Sequence, residues 1–159
     1  MANVGDSRAV LCRGGRAVRL TRDHKTSDPE EAARVMAQGG FVGRFGRVNG
    51  ILAISRALGD HMLKEVVSAR PYTQDTLLTE HDDFLILACD GVWDVLSDQE
   101  AVDHVLQQVR AGTPAMALAR TLVRASLDRQ TTDNVSVMVV FLQARTVHAD
   151  DTSALLIFM

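Results

Sequence analysis

The amino-acid sequence predicts an α+β fold built on antiparallel sheet. Three observations carry that expectation. Short β-type runs open the chain within its first 21 residues, and a β-branched run at 135–142 closes the patterned region. Helical patterns follow one another without strands between them over 97–128. The regular strand–helix alternation of a parallel βαβ sheet is absent.

The elements follow in order. Asn3 to Arg13 reads as a strand, Gly14-Gly15 as a hairpin turn and Arg16 to Thr21 as the return strand. Asp28-Pro29-Glu30-Glu31 starts a helix: Asp28 caps, Pro29 suits the first turn and Glu31 completes a capping box. Ala32, Val35 and Met36 supply its apolar face, and Gly39-Gly40 stop it. Residues 41–72 are rich in Gly and Arg with little periodicity, and read as a surface excursion with short strands, the candidate for a mobile flap. Phe84 to Cys89 is a continuous apolar run bounded by Asp82-Asp83 and Asp90-Gly91, which fits a strand covered on both faces. Ser97-Asp98-Gln99-Glu100 is a second capping box, followed at helical spacing by Val102, Val105, Leu106 and Val109. Thr113-Pro114 opens a third helix carrying Leu118, Ala119, Leu122 and Val123. Residues 1–142 are read as the domain, and 143–159 as a tail with an apolar end.

Composition narrows the function. The 159 residues are 47% hydrophobic and 23% charged, as in a folded domain. A formal net charge of −3 gives no bulk electrostatic footprint for nucleic acid. Apolar runs are far short of a membrane span, so no membrane partner is expected. Met1 to Asp6 shows no secretory signal. Cys12 and Cys89 read as buried free thiols of a reducing compartment, which places the protein in the cytoplasm or nucleus. The five histidines show no ligand spacing and read as structural. Arg44, Arg47 and Arg56 read as a solvated face, with a phosphate-binding patch as the alternative.

The chemistry is sought among carboxylates. Asp90 ends the apolar run with Gly91 directly after it, and Asp133 precedes the 135–142 strand by two residues. If those strands are antiparallel neighbours, Asp90 and Asp133 converge. Two buried carboxylates at close range call for a cation between them. Oxygen ligation without His or Cys favours Mg²⁺ or Mn²⁺ over zinc. Taken alone, Asp90-Gly91 also fits an ordinary turn and Asp133-Asn134 an Asx turn. Asp6 fits a strand residue facing solvent, and Asp94 a cap before Ser97.

A set of motifs then stands in sequence: N-V-G-D-S-R-A-V-L at 3–11, L-T-R-D-H-K at 20–25, A-Q-G-G at 37–40 and R-V-N-G-I-L-A-I-S-R-A-L-G-D at 47–60. F-L-I-L-A-C-D-G-V-W-D-V-L at 84–96 and T-D-N-V-S-V-M-V-V at 132–140 complete it. Over residues 3–142 the chain resembles the PPM-type (type 2C) metal-dependent protein serine/threonine phosphatases. The resemblance implies an α-β-β-α sandwich and a phosphoprotein substrate. It also implies two Mg²⁺ or Mn²⁺ ions, sometimes a third, that activate a water for in-line attack on phosphorus. By motif, Asp90 and Asp133 resemble ligands of the core metal pair. Asp6 and Asp94, with Asp90, resemble the holders of a third, weaker ion. Residues 41–72 look like the family's flap, with Ser55-Arg56 and Gly59-Asp60 structural in it.

The chain lacks the family's early acidic pair, its D-G-H-x-G segment and its phosphate-binding Arg. The expectation is therefore a partial phosphatase domain without the N-terminal strands, of low or no activity alone. The alternatives are a non-catalytic truncated isoform that binds a partner, and a fragment without function of its own.

Overall fold

The computed structural model describes residues 1–142 and the backbone of residues 155–158. In chain order the elements are β1 (Ala2–Asn3), β2 (Arg8–Arg13), β3 (Arg16–Arg19), α1 (Pro29–Ala37), β4 (Tyr72–Thr73), β5 (Asp82–Ala88), α2 (Asp90–Trp93), α3 (Asp98–Arg110), α4 (Ala115–Asp128), β6 (Ser136–Phe141) and β7 (Leu155–Phe158). They gather into two compact units. One holds Met1–Ser7 and Thr21–Gln74; the other holds Arg8–Leu20 and Asp75–Met159.

The second unit is an antiparallel sheet in the order β3-β2-β5-β6-β7, bearing out the α+β expectation. Gly14 and Gly15 turn the β2–β3 hairpin with φ of +56° and +79°, the left-handed pair that a two-residue turn matching strand twist requires. Alternation along β5 divides its apolar run. Phe84, Ile86 and Ala88 are buried with Val10, Cys12, Val137 and Val139 against Val102 and Val105 of α3 and Leu118 and Leu122 of α4. Leu85 and Leu87 point to the other side and pack, half-buried, on Ala9, Leu11 and Leu20. The Ser97 capping box starts α3 as expected, with both reciprocal hydrogen bonds made. Pro114 precedes α4 without a side-chain cap, so packing of its apolar stripe sustains that helix. The backbone of β7 pairs with β6. The side chains of the tail's apolar end, residues 154–159, lie outside the described residues.

The first unit departs more from expectation. The strand expected over Asn3 to Arg13 is broken at Gly5 (φ +97°), so β1 pairs with β4 while β2 pairs with β3 and β5. Asp28 caps α1 by accepting the Glu30 N–H, and Gly39 (φ +82°) helps end it. Glu31, however, forms no capping box and turns into the interior. Met36 is 56% exposed, because Glu31 and Val35, one turn apart, form the buried face and Met36 lies a quarter-turn off it. Up to the start of β4 at Tyr72, residues 41–72 carry two 3-10 turns, Arg44–Gly46 and His61–Leu63, and isolated bridges in place of the expected short strands. The segment is not merely superficial: Val48, Ala57, Val66 and Val67 close on Val35 in a small apolar core.

Candidate metal centre

The end of β5 and the start of β6 are locked together. Ala88 pairs with Val137, and beyond that pair the Cys89 N–H donates to the Ser136 carbonyl at 3.2 Å. The Cys89 thiol continues the contact. It accepts from the Ser136 N–H at 3.2 Å and donates to the Asn134 carbonyl at 3.1 Å. The thiol is half-buried rather than buried, a correction to the sequence reading. Gly91 presses so closely on residue 134 that any Cβ there would overlap the Asn134 carbonyl oxygen. Glycine is required by this approach and not by its backbone angles.

Asp90 and Asp133 flank that contact. Asp90 is the first residue of α2, and Asp133 accepts the Asn134 N–H at 2.7 Å in a local turn. Asp90 is half-buried and Asp133 exposed, so they are not the buried pair the sequence suggested. Asp94 closes α2 one turn after Asp90, its N–H donating to the Asp90 carbonyl at 2.8 Å. Asp6 lies in the bend after Gly5, not in a strand, and its carboxylate meets Lys25 Nζ at 3.2 Å within the first unit. Among the described residues no three His, Cys, Asp or Glu side chains gather closely enough to hold an ion. The donor chemistry suits Mg²⁺ or Mn²⁺, but the described set does not by itself make a complete site.

Two motif residues have roles that sequence reasoning missed. Arg8 of G-D-S-R lies over the Trp93 ring of D-G-V-W-D at 5.1 Å and donates to Asp98 at 2.6 Å. Trp93 Nε1 donates to the Ala88 carbonyl at 2.9 Å. Arg19 also grips Asp98. Burial pushes the Asp98 carboxyl up, but Arg19 and Arg8 outweigh it and hold it below the usual range. These contacts brace the short helix that carries Asp90. No spacing signal marks the Arg8 and Arg19 contacts, because those partners are 79 to 90 residues apart.

In the first unit Glu31 gathers Arg34, Ser55 and Arg56. Arg56 is thereby tied to Glu31, a contact that Arg44 and Arg47 do not share. His24 is buried, and its Nδ1 accepts the Gly5 N–H at 3.1 Å. Burial and then the Arg56 charge push its pKa down.

Comparison with known proteins decides the family. The Protein phosphatase 2C family model matches residues 1–135. The chain belongs to the protein phosphatase 2C family. It is 51% identical to Protein phosphatase 2C homolog 1 of Schizosaccharomyces pombe, over 95% of this chain and 42% of that protein. It is 50% identical to the Saccharomyces cerevisiae protein of the same name, over 89% of this chain and 48% of that one. Among solved structures, a C. elegans sex determining protein superposes with a TM-score of 0.82 at 33% identity, over 89% of this chain and 36% of that one. A serine-threonine phosphatase 2C from Toxoplasma gondii gives 0.73 at 30% identity, over 88% and 53%. The chain thus spans less than half the length of the two yeast relatives. The 2C family fold accounts for the antiparallel sheet and its covering helices.

Proposed function

We propose that this chain is part of a metal-dependent protein serine/threonine phosphatase, acting on phosphoserine and phosphothreonine of a phosphoprotein in the cytoplasm or nucleus. One observation carries the reading: the β5–β6 register sets Asp90-Gly91 against Asp133-Asn134, in a chain half identical to proteins named protein phosphatase 2C. Asp90 and Asp133 would serve as ligands of an Mg²⁺ or Mn²⁺ pair, with Asp94 toward a further ion. Such ions supply an activated water and charge neutralisation at phosphorus. The protein's own contribution is positional. The sheet fixes the spacing of the two strand ends, and Arg8, Trp93 and Asp98 fix α2. The described residues make an incomplete donor set, so the 159-residue chain alone has low or no activity.

The experiment is a Mn²⁺ titration of the 159-residue chain, followed by the paramagnetic resonance of free Mn²⁺, beside a p-nitrophenyl phosphate assay. Binding that Asp90→Asn and Asp133→Asn each weaken, with negligible turnover, supports the proposal. Binding indifferent to both substitutions removes the metal assignment. Mn²⁺-dependent turnover that Asp90→Asn abolishes overturns the statement of low activity.

A further inference from the structure

A cavity of about 330 Å³ opens within the first unit, lined by Arg34, Arg56, Ser68, Arg70, Tyr72 and Thr73. Three arginines therefore line one space, and their charge is only partly answered. Glu31 is the carboxylate that Arg34 and Arg56 share. Among the described residues no carboxylate pairs with Arg70. Three arginines against one carboxylate leave two positive charges among the residues that line the cavity.

The donors divide in the same way. Arg34 spends all five N–H groups: two on Glu31, and one each on the Ser55 carbonyl, the Val66 carbonyl and Gln38. Arg56 spends three, two on Glu31 and one on the Arg70 carbonyl at 2.9 Å, which leaves two. Glu31 thus aims Arg56 without exhausting it. Ser68 Oγ accepts the Arg70 N–H at 3.1 Å and keeps its own proton to give. Tyr72 donates to Gln74 at 2.8 Å, which fixes its ring as a wall of the cavity. An aimed guanidinium, a second without a carboxylate partner and a hydroxyl donor form the chemistry that recognises a doubly charged tetrahedral oxyanion.

We propose that this cavity binds a phosphate monoester dianion, such as a phosphorylated serine or threonine side chain, through the Arg56 and Arg70 guanidinium groups and Ser68 Oγ. The inference does not rest on the metal reading, since neither Asp90 nor Asp133 lines the cavity. It is therefore tested with divalent ions removed.

The ¹⁵N-labelled 159-residue chain is titrated in EDTA with inorganic phosphate, with the peptide Ala-phosphoSer-Ala and with unphosphorylated Ala-Ser-Ala. The expected result is saturable shifts of the Ser68, Arg70, Tyr72 and Thr73 amides with the two phosphates and none with the third probe. Arg70→Ala weakens that binding by on the order of tenfold, the loss of one charge-assisted hydrogen bond. Arg124→Ala, an exposed cation of the second unit, leaves it unchanged. Tighter binding of the peptide than of the ion assigns the cavity to a phosphorylated chain; equal binding assigns it to the free ion. Both support the site. Shifts confined to other residues of the unaltered chain, equal binding of Ala-Ser-Ala, or equal losses in both arginine variants overturn it. Because the mapping uses the unaltered chain, it decides the matter even if Arg70→Ala perturbs the fold.

Discussion

Replacing Glu31 with Gln should loosen the first unit by about 3 kcal/mol at neutral pH, and two routes lead to that figure. The carboxylate is 2% exposed and takes hydrogen bonds from Arg56, from Ser55 at 2.7 Å and from Arg34 at 3.1 Å. Burial pushes its pKa up, but Arg56, Ser55 and Arg34 together outweigh burial, and it falls to about 2 from an ordinary 4.5. A displacement of that size corresponds to about 3 kcal/mol of stability. Removing one partner of a buried ion pair independently costs about 3–5 kcal/mol, because the remaining charges stay buried. The sign follows from the depressed folded pKa. The contribution is complete above the ordinary carboxyl value and is lost as pH falls toward about 2. Gln does not titrate, so the gap between the two proteins must close over that same window. Hydrogen exchange of the α1 amides reads the loss in the unit concerned, where a global unfolding midpoint mixes both units. A loss below about 1 kcal/mol at pH 7, or a gap that stays constant down to pH ~2.5, refutes the assignment of Glu31 as the centre of this network.

Three further outcomes are expected. Gly91→Ala drives a Cβ into the Asn134 carbonyl and should cost about 1–3 kcal/mol by urea unfolding, with the amide shifts of Cys89 and Ser136 displaced; an unchanged midpoint would show that the two strand ends are not pressed together. Ser97→Ala removes the α3 capping box and should cost about 1 kcal/mol, read as faster exchange in the first turn of α3. Leu122→Ala opens a cavity under the sheet and should cost about 2–5 kcal/mol, while Met116→Ala on the 47% exposed side of the same helix stays within about 0.5 kcal/mol; similar melting losses for both would deny that α4 packs as described.

How much was legible in the sequence depended on how local the signal was. The Ser97 box, the Gly14-Gly15 turn and the apolar stripe of α4 are each written within four to eight residues, and each forms as read. Asp90 and Asp133 were legible as strand-end carboxylates because the strand pattern itself places them. Glu31 was misread because its position satisfies the local rule for a capping box, while Arg34 one turn along the helix and two long-range partners, Ser55 and Arg56, offer its carboxylate more. Tertiary contacts overrode the local preference. The break at Gly5 was hidden for a related reason: alternation runs through it, yet the residues on either side pair with different strands. The bracing of Trp93 by Arg8, and of Arg8 by Asp98, has no local signature at all.

The way the two strand ends are held bears on how the proposed site would meet an ion. The spacing of Asp90 and Asp133 is set by the β5–β6 register, by the Cys89 bonds to residues 134 and 136 and by the pressure of Gly91 on Asn134. None of these contacts needs a metal, so on the proposed reading the strand ends that carry the two carboxylates are ordered before an ion arrives and little ordering entropy is lost on binding. Against this, an octahedral Mg²⁺ wants six oxygens, and two carboxylates leave most of them to water. Preorganisation without a full donor set predicts weak binding that is nonetheless sensitive to each carboxylate separately. It also predicts that Gly91→Ala weakens Mn²⁺ binding while leaving both carboxylates in the chain. A variant that is folded, carries both aspartates and binds Mn²⁺ as well as the parent would show that the register of the sheet does not set the site.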